Sequence, residues 1–184
     1  FVGREVELTD LHDCLQKTGA VGINQQVAHF GHGGVGKTAV AIEYGWKYLT
    51  DYPGGVFFFD CDTDLILPAV AALADTLGLD LPDGIPQDQI ATAVCQAIQQ
   101  PSKSLIILDN VRDKEQWGDP GFRDLLPMTN CCRLITTRAG YLGHDVEMKA
   151  MPRLPREEGI KLLAKYRSDA ANTKNHKIVG DIVD

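Results

Sequence analysis

Gly31, Gly36, Lys37 and Thr38 stand in the stretch GHGGVGKTAV with the spacing G-x-x-x-x-G-K-[ST]. Glycines there let successive backbone N–H groups turn inward as a cradle for an anion, and a helix begun at Gly36 aims its positive end at the same point. A lysine in that position reaches the β- and γ-phosphates of a nucleotide, and a threonine hydroxyl ligates Mg2+. Phosphate binding is the chemistry these residues imply. Motors, kinases, transporters and switches all share it, so the loop alone leaves the class of protein open.

Asp109 follows the apolar run LIIL, which places it at the carboxyl end of a buried strand, where open α/β sheets hold ligands. A carboxylate there can hold Mg2+ through water and complete a phosphate site. Arg138 closes the run CRLITTR, emerges at the same edge and can sense a γ-phosphate. Lys37, Asp109 and Arg138 are therefore the candidate catalytic set, with Thr38 and Asp109 as candidate metal ligands. Asn110 stands where a turnover enzyme would carry a second acid. A neutral amide orients water but cannot take its proton, so hydrolysis is expected to be slow. Asn110→Asp is then expected to raise it, unless a nearby carboxylate such as Asp113 acts as the base. His12, His29, His32, His144 and His176 lack metal-ligand spacing, and the vicinal Cys131 and Cys132 read as buried filler.

The elements that must position these groups follow from the apolar pattern. QQVAHF before the loop, GVFFFD at 55–60, SLIILDNV at 104–111 and CRLITT at 132–137 have strand length and β-branched or aromatic content, with VEMKAM at 146–151 a weaker fifth. SLIILD is apolar without alternation, as a strand buried on both faces of a parallel sheet must be. Helical spacing lies between them: Ala39, Ile42, Trp46 and Leu49 on one expected core face, then Leu67, Val70, Leu73, Ala74 and Leu77, then Ile90, Val94, Ala97 and Ile98. PDGIPQ at 82–87 reads as a linker and WGDPGF at 117–122 as a surface loop. Alternating strands and helices imply right-handed crossovers and a three-layer α/β sandwich with a parallel sheet. Beyond Leu154, PREEGIKLLAKY is helical, with Pro155 near the start and Glu157 and Glu158 favouring the positive end of the dipole.

Composition narrows the partners. The chain has 184 residues, 44% hydrophobic and 23% charged, which suffices for one α/β domain and a short appendage. No apolar run approaches the roughly 20 residues of a membrane span. The net charge of −7 argues against a broad nucleic-acid footprint on this segment. Five cysteines form an odd set without a C-x-x-C pair, so a reducing, cytoplasmic setting is expected. Phe1 in place of Met, and helical spacing still running at Ile178 and Ile182, point to a segment of something longer.

Five motifs in this order resemble the NB-ARC nucleotide-binding domains of the STAND class of P-loop NTPases. They are FVGREVEL at the start, GHGGVGKTAVAIEYG, LIILDNV as the Walker B strand, CRLITTR as the sensor strand, and MPRLPREEGIKLL. That class includes apoptosome-forming adaptors, plant disease-resistance proteins, and bacterial and animal proteins with repeats. The resemblance implies an ASCE-type sheet in which the sensor strand separates the Walker B strand from the P-loop strand. It divides the chain into a nucleotide-binding domain at 1–152 and the beginning of a helical subdomain at 153–184. It carries the phosphates and Mg2+ to Gly31, Gly33, Gly34, Val35, Gly36, Lys37, Thr38 and Ala39, the metal also to Asp109, and the γ-phosphate to Arg138. Phe1, Val2 and Arg4 would border the adenine or its ribose. Members of the class act in signalling, in apoptosis or innate immunity among others, as switches: closed with ADP, open with ATP, homo-oligomeric when open, and flanked by effector and repeat sensor domains. The competing readings are a turnover ATPase, whether an AAA-like motor or a phosphotransferase, and the ATPase core of a DNA-binding transcriptional regulator.

Overall fold

Each strand forms around an apolar run that has to leave water. In the computed structural model, which describes residues 2–25, 34–62, 66–99, 102–123 and 130–166, these are β1 (Ala20–Gln25), β2 (Val56–Asp60), β3 (Ser104–Val111), β4 (Cys131–Thr137) and β5 (Glu147–Met151). The last four coincide with the runs expected from sequence. β1 begins earlier than the expected QQVAHF, of which only Gln25 lies within the described residues. All pairings are parallel and the order is β2-β3-β4-β1-β5, so the sensor strand β4 lies between β3 and β1 as the resemblance implies. Leu105, Ile106, Ile107 and Leu108 of β3 are all buried, which accounts for the unbroken apolar run.

Two helices cover one face of the sheet. α1 (Glu5–Thr18), not among the helices expected from sequence, buries Leu8, Leu11 and Leu15, an i, i+3, i+7 stripe. α2 (Lys37–Lys47) begins within the glycine-rich stretch GHGGVGKT. The other face carries α3 (Ile66–Ala71), α4 (Leu73–Thr76) and α5 (Gln87–Ile98), then the short α6 (Lys114–Gly118) and α7 (Pro120–Arg123); α8 (Arg156–Tyr166) follows β5. The stretch read as a surface loop at 117–122 is therefore largely helical. Its Trp117 and Phe122 are buried, packed edge to face with centroids 6.4 Å apart, because two large aromatics so close together gain more from the core than the intervening Gly and Pro lose.

The expected inner face of α2 is its outer one. Ile42, Trp46 and Leu49 are 42%, 73% and 45% exposed, whereas Val40, Ala41, Tyr44 and Gly45 are buried. This helix is apolar around most of its circumference, so periodicity could not choose the side. Thr38 chooses it: its hydroxyl bonds Asp109 on β3, which turns the stripe Thr38, Ala41, Gly45 toward the sheet. Gly45 permits that approach, since a Cβ there would lie 3.1 Å from Val56 and 3.2 Å from Ile107 side-chain atoms. Ile42, Trp46 and Leu49, with Phe58 of the edge strand β2, are left flanking a shallow apolar groove.

The two aromatic positions of α2 should then behave oppositely. Tyr44, whose hydroxyl lies 2.8 Å from that of Tyr52 and 3.0 Å from His12 Nδ1, should cost about 3–5 kcal/mol as Tyr44→Ala, the range for large buried aromatics. Trp46→Ala should stay within about 0.5 kcal/mol of the parent. Urea denaturation of both variants checks the assignment.

Candidate nucleotide site

The glycine-rich loop enters α2 through backbone that only glycine adopts freely. Gly34 and Gly36 have φ of 125° and 87°, and Gly36 is the N-cap residue, its carbonyl accepting the first helical bond from Val40 N–H at 2.9 Å. The free N–H groups of the first turn and the positive end of α2 thus face the same cavity. Lys37 stands in that turn. Burial, and secondarily the neighbouring Arg138, lower its amine pKa from the ordinary value.

Asp109 meets α2 from the sheet. Between Leu108 and Val111 the register of β3 on β4 shifts, so that three steps along β3 match two along β4, from Ile135 to Thr137. Asn110 takes up the extra residue at φ 62°, a left-handed conformation that asparagine tolerates better than most. One hydroxyl repairs the ladder there: Thr136 Oγ1 accepts from Asn110 N–H at 2.9 Å and donates to Asp109 Oδ1 at 2.5 Å. Thr38 Oγ1 lies 2.9 and 3.0 Å from the two oxygens of the same carboxylate, and Asn110 Nδ2 donates to Oδ2 at 3.2 Å. Asp109 is only 4% exposed, and donors from three elements satisfy it.

Above these groups opens a cavity of about 860 Å3, lined among the described residues by Lys37, Thr38, Asp62, Asn110, Thr137 and Arg138, with Gly34, Gly36 and Ala39 on the loop side. The size suits a nucleoside phosphate. Thr38 hydroxyl and Asp109 carboxylate are hard oxygen donors, the set Mg2+ takes together with phosphate oxygens and water. Among the described residues no cluster of three or more His, Cys, Asp or Glu is placed to hold a metal ion.

Phe1, Gly31 and Gly33 lie outside the described residues. Val35 packs against the core below the loop, and its carbonyl accepts from Arg4 at 3.1 Å. The buried Arg4 guanidinium also donates to the Pro152 carbonyl at 2.7 Å and to Glu7 at 3.2 Å, so it straps the loop to the β5–α8 connection. Neither Val2 nor Arg4 is among the described lining of the cavity. Asp113, the alternative base, is the N-cap of α6: its Oδ1 accepts from Gln116 N–H at 2.8 Å, and it too lies outside that lining. Asn110 Nδ2 reaches Asp60 Oδ1 at 3.3 Å as well as Asp109, so Asn110→Asp would set three carboxylates together, an effect opposing the gain expected from sequence. Sequence spacing singles out neither Thr136 nor Asp62. Thr136 sits at the carboxyl end of β4 and Asp62 just beyond that of β2, at the edge where a ligand site in a parallel sheet is to be sought.

Several solved structures have a similar fold. The Aeropyrum pernix ORC2 protein, solved as ADPNP-ADP complexes, aligns with a TM-score of 0.64 at 14% identity, covering 97% of this chain and 56% of that one. The Aeropyrum pernix ORC1 protein in complex with DNA gives 0.55 at 15% identity over 92% and 50%, and a Walker-type ATPase of Pyrococcus abyssi gives 0.56 at 10% over 100% and 63%. The fold is that of a P-loop NTPase. No family model matches the chain. Among curated proteins it is similar to Regulatory protein AfsR of Streptomyces coelicolor, 24% identical over 200 aligned positions, and to the protein of the same name in Streptomyces griseus, 27% identical over 179. The chain spans 19% and 17% of the length of these relatives. No helix among the described residues is long and apolar enough to cross a membrane.

In this P-loop fold the Thr136 hydroxyl holds two partners at once, and Thr136→Val removes both bonds without changing the side chain's shape. The variant should lose about 1–3 kcal/mol, the cost of leaving a buried acceptor and a backbone N–H without their partner. Thermal melting checks this, with Thr136→Ser expected to recover most of the loss.

Proposed function

We propose that this chain is the nucleotide-binding switch module of a longer regulatory protein, an NB-ARC-like segment that holds ATP or ADP with Mg2+ at the carboxyl edge of its sheet. The observation that carries this reading is the meeting of Thr38 with Asp109 at 2.9 and 3.0 Å beneath a cavity that Lys37 and Arg138 line. In this reading the loop from Gly31 to Ala39 binds the phosphates, Thr38 and Asp109 hold the metal, Arg138 recognises the γ-phosphate, and Phe1, Val2 and Arg4 border the base. Bound Mg2+ would supply charge neutralisation between the phosphates. Lys37 and Arg138 add positive charge where the third phosphate distinguishes ATP from ADP.

The regulatory part of the proposal draws on the relatives. Two proteins named as regulators contain a segment similar to this chain, and that segment is under a fifth of their length, 19% and 17%. Effector and sensor elements would flank a nucleotide-binding part at 1–152 and a helical part that begins at 153, in a cytoplasmic protein that self-associates with ATP bound. A regulator of transcription is the second reading, favoured by those relatives and by a structural neighbour solved in complex with DNA. With a net charge of −7, DNA contact would then fall outside this segment.

Lys37→Ala should abolish ADP binding in calorimetry, since it removes the cation that the loop directs at the phosphates. Arg138→Ala should weaken an ATP analogue about tenfold while ADP stays within about twofold, reflecting one charge-assisted contact to the γ-phosphate. Steady-state phosphate release should remain below about 0.1 per second, slower than P-loop enzymes built for turnover. Multiple turnovers per second would return the chain to the motors.

A further inference from the structure

Asp60 and Asp62 stand at and just beyond the carboxyl end of β2, one strand further out than Asp109. Asp60 pairs in register with Asp109, which puts both side chains on the α2 side of the sheet. Its Oδ1 accepts from Asn110 Nδ2 at 3.3 Å and from the backbone N–H of Asp62 at 3.1 Å. The second bond closes a turn that carries Asp62 over the sheet edge, where it lines the cavity together with Lys37, Thr38, Asn110 and Arg138. Among the described residues, the other carboxylates at this edge are already engaged. Asp109 is buried under the Thr38, Thr136 and Asn110 donors, Asp60 holds the turn, and Asp113 caps α6. Among the described residues lining the cavity, Asp62 is the one acid.

We propose that Asp62 is the carboxylate that orients the attacking water and receives its proton, and that Asp60 and Asn110 are positioning residues that hold it there. This rests on the nucleotide-binding reading above. The water oxygen forms a bond to the γ-phosphorus, the bond from that phosphorus to the β–γ bridging oxygen breaks, and its electron pair leaves on ADP. The water proton passes to Asp62 and from there to phosphate or solvent. A base delivered from the neighbouring strand gives the amide at position 110 a reason: Asn110 donates to Asp109 and to Asp60, bridging two carboxylates that would otherwise repel each other.

The test uses Asp62→Asn in this chain with Mg2+, calorimetry of ADP and of a non-hydrolysable ATP analogue, and single-turnover phosphate release from ATP. Release should fall about 100-fold, the lower range for loss of a general base. ADP affinity should stay within about twofold while analogue affinity rises about threefold, because the charge removed faces only the third phosphate. Asp60→Ala should slow release, and Asp60→Asn, which keeps an acceptor at Oδ1, should restore most of it. If the parent chain binds ADP but Asp62→Asn leaves release unchanged, or moves analogue and ADP affinity together, the role of Asp62 is overturned. A parent chain that binds neither nucleotide overturns the P-loop reading itself, and this inference with it.

Discussion

A carboxylate taken out of water must be given hydrogen-bond donors, and the carboxyl edge of this sheet is arranged around that requirement at Asp109. Its three donor residues come from α2, from β4 and from the next position of β3 itself. Each contribution constrains a different part of the fold. The Thr38 hydroxyl sets how α2 docks, the Thr136 hydroxyl sets how β3 and β4 part company at the bulge, and the Asn110 amide ties β3 to the end of β2. A bulge would ordinarily leave a backbone N–H without a partner. Here the hydroxyl that takes up that N–H also donates to the carboxylate, so ladder and site are repaired by the same atom.

The docking of α2 has consequences on its far side. With Thr38, Ala41 and Gly45 turned inward, Ile42, Trp46 and Leu49 have to face out, although they are as apolar as the residues that are buried. The core contact is made by small residues that let the helix settle close to β2 and β3, and by Tyr44, whose phenol is buried beside Tyr52 and His12. Desolvation drives the Tyr44 pKa far upward, so this hydroxyl stays protonated and serves packing and hydrogen bonding only.

Arg4 acts in a corresponding way at the other end of the loop. It adopts a left-handed backbone, φ 73°, at a cost on the order of 1–3 kcal/mol for a residue with a side chain. Its guanidinium offsets this by joining the carbonyls of Val35 and Pro152, 148 residues apart in sequence from Arg4 in the second case. The loop before α2 and the chain leading to α8 are therefore fastened to one side chain.

The sequence by itself determined which side chains are on offer and roughly where each element runs. The positions of Lys37, Thr38, Asp109, Asn110 and Arg138 at one sheet edge were legible because they follow from local spacing, and β2 to β5 because a run such as LIIL can be buried only in a sheet interior. The placement of β4 between β3 and β1, which the resemblance implies, is the one observed. What tertiary structure decided were the matters that depend on partners distant in sequence. The inner face of α2 followed from a bond between residues 71 apart, and the burial of Trp117 and Phe122 from a core that the intervening Gly and Pro concealed. The engagement of Asp113 as a cap and the freedom of Asp62 to line the cavity were equally invisible, since any strand-end carboxylate looks alike in a sequence. Local pattern records what a residue is able to do; which of those abilities is already taken by a neighbour is settled only when the strands are laid side by side.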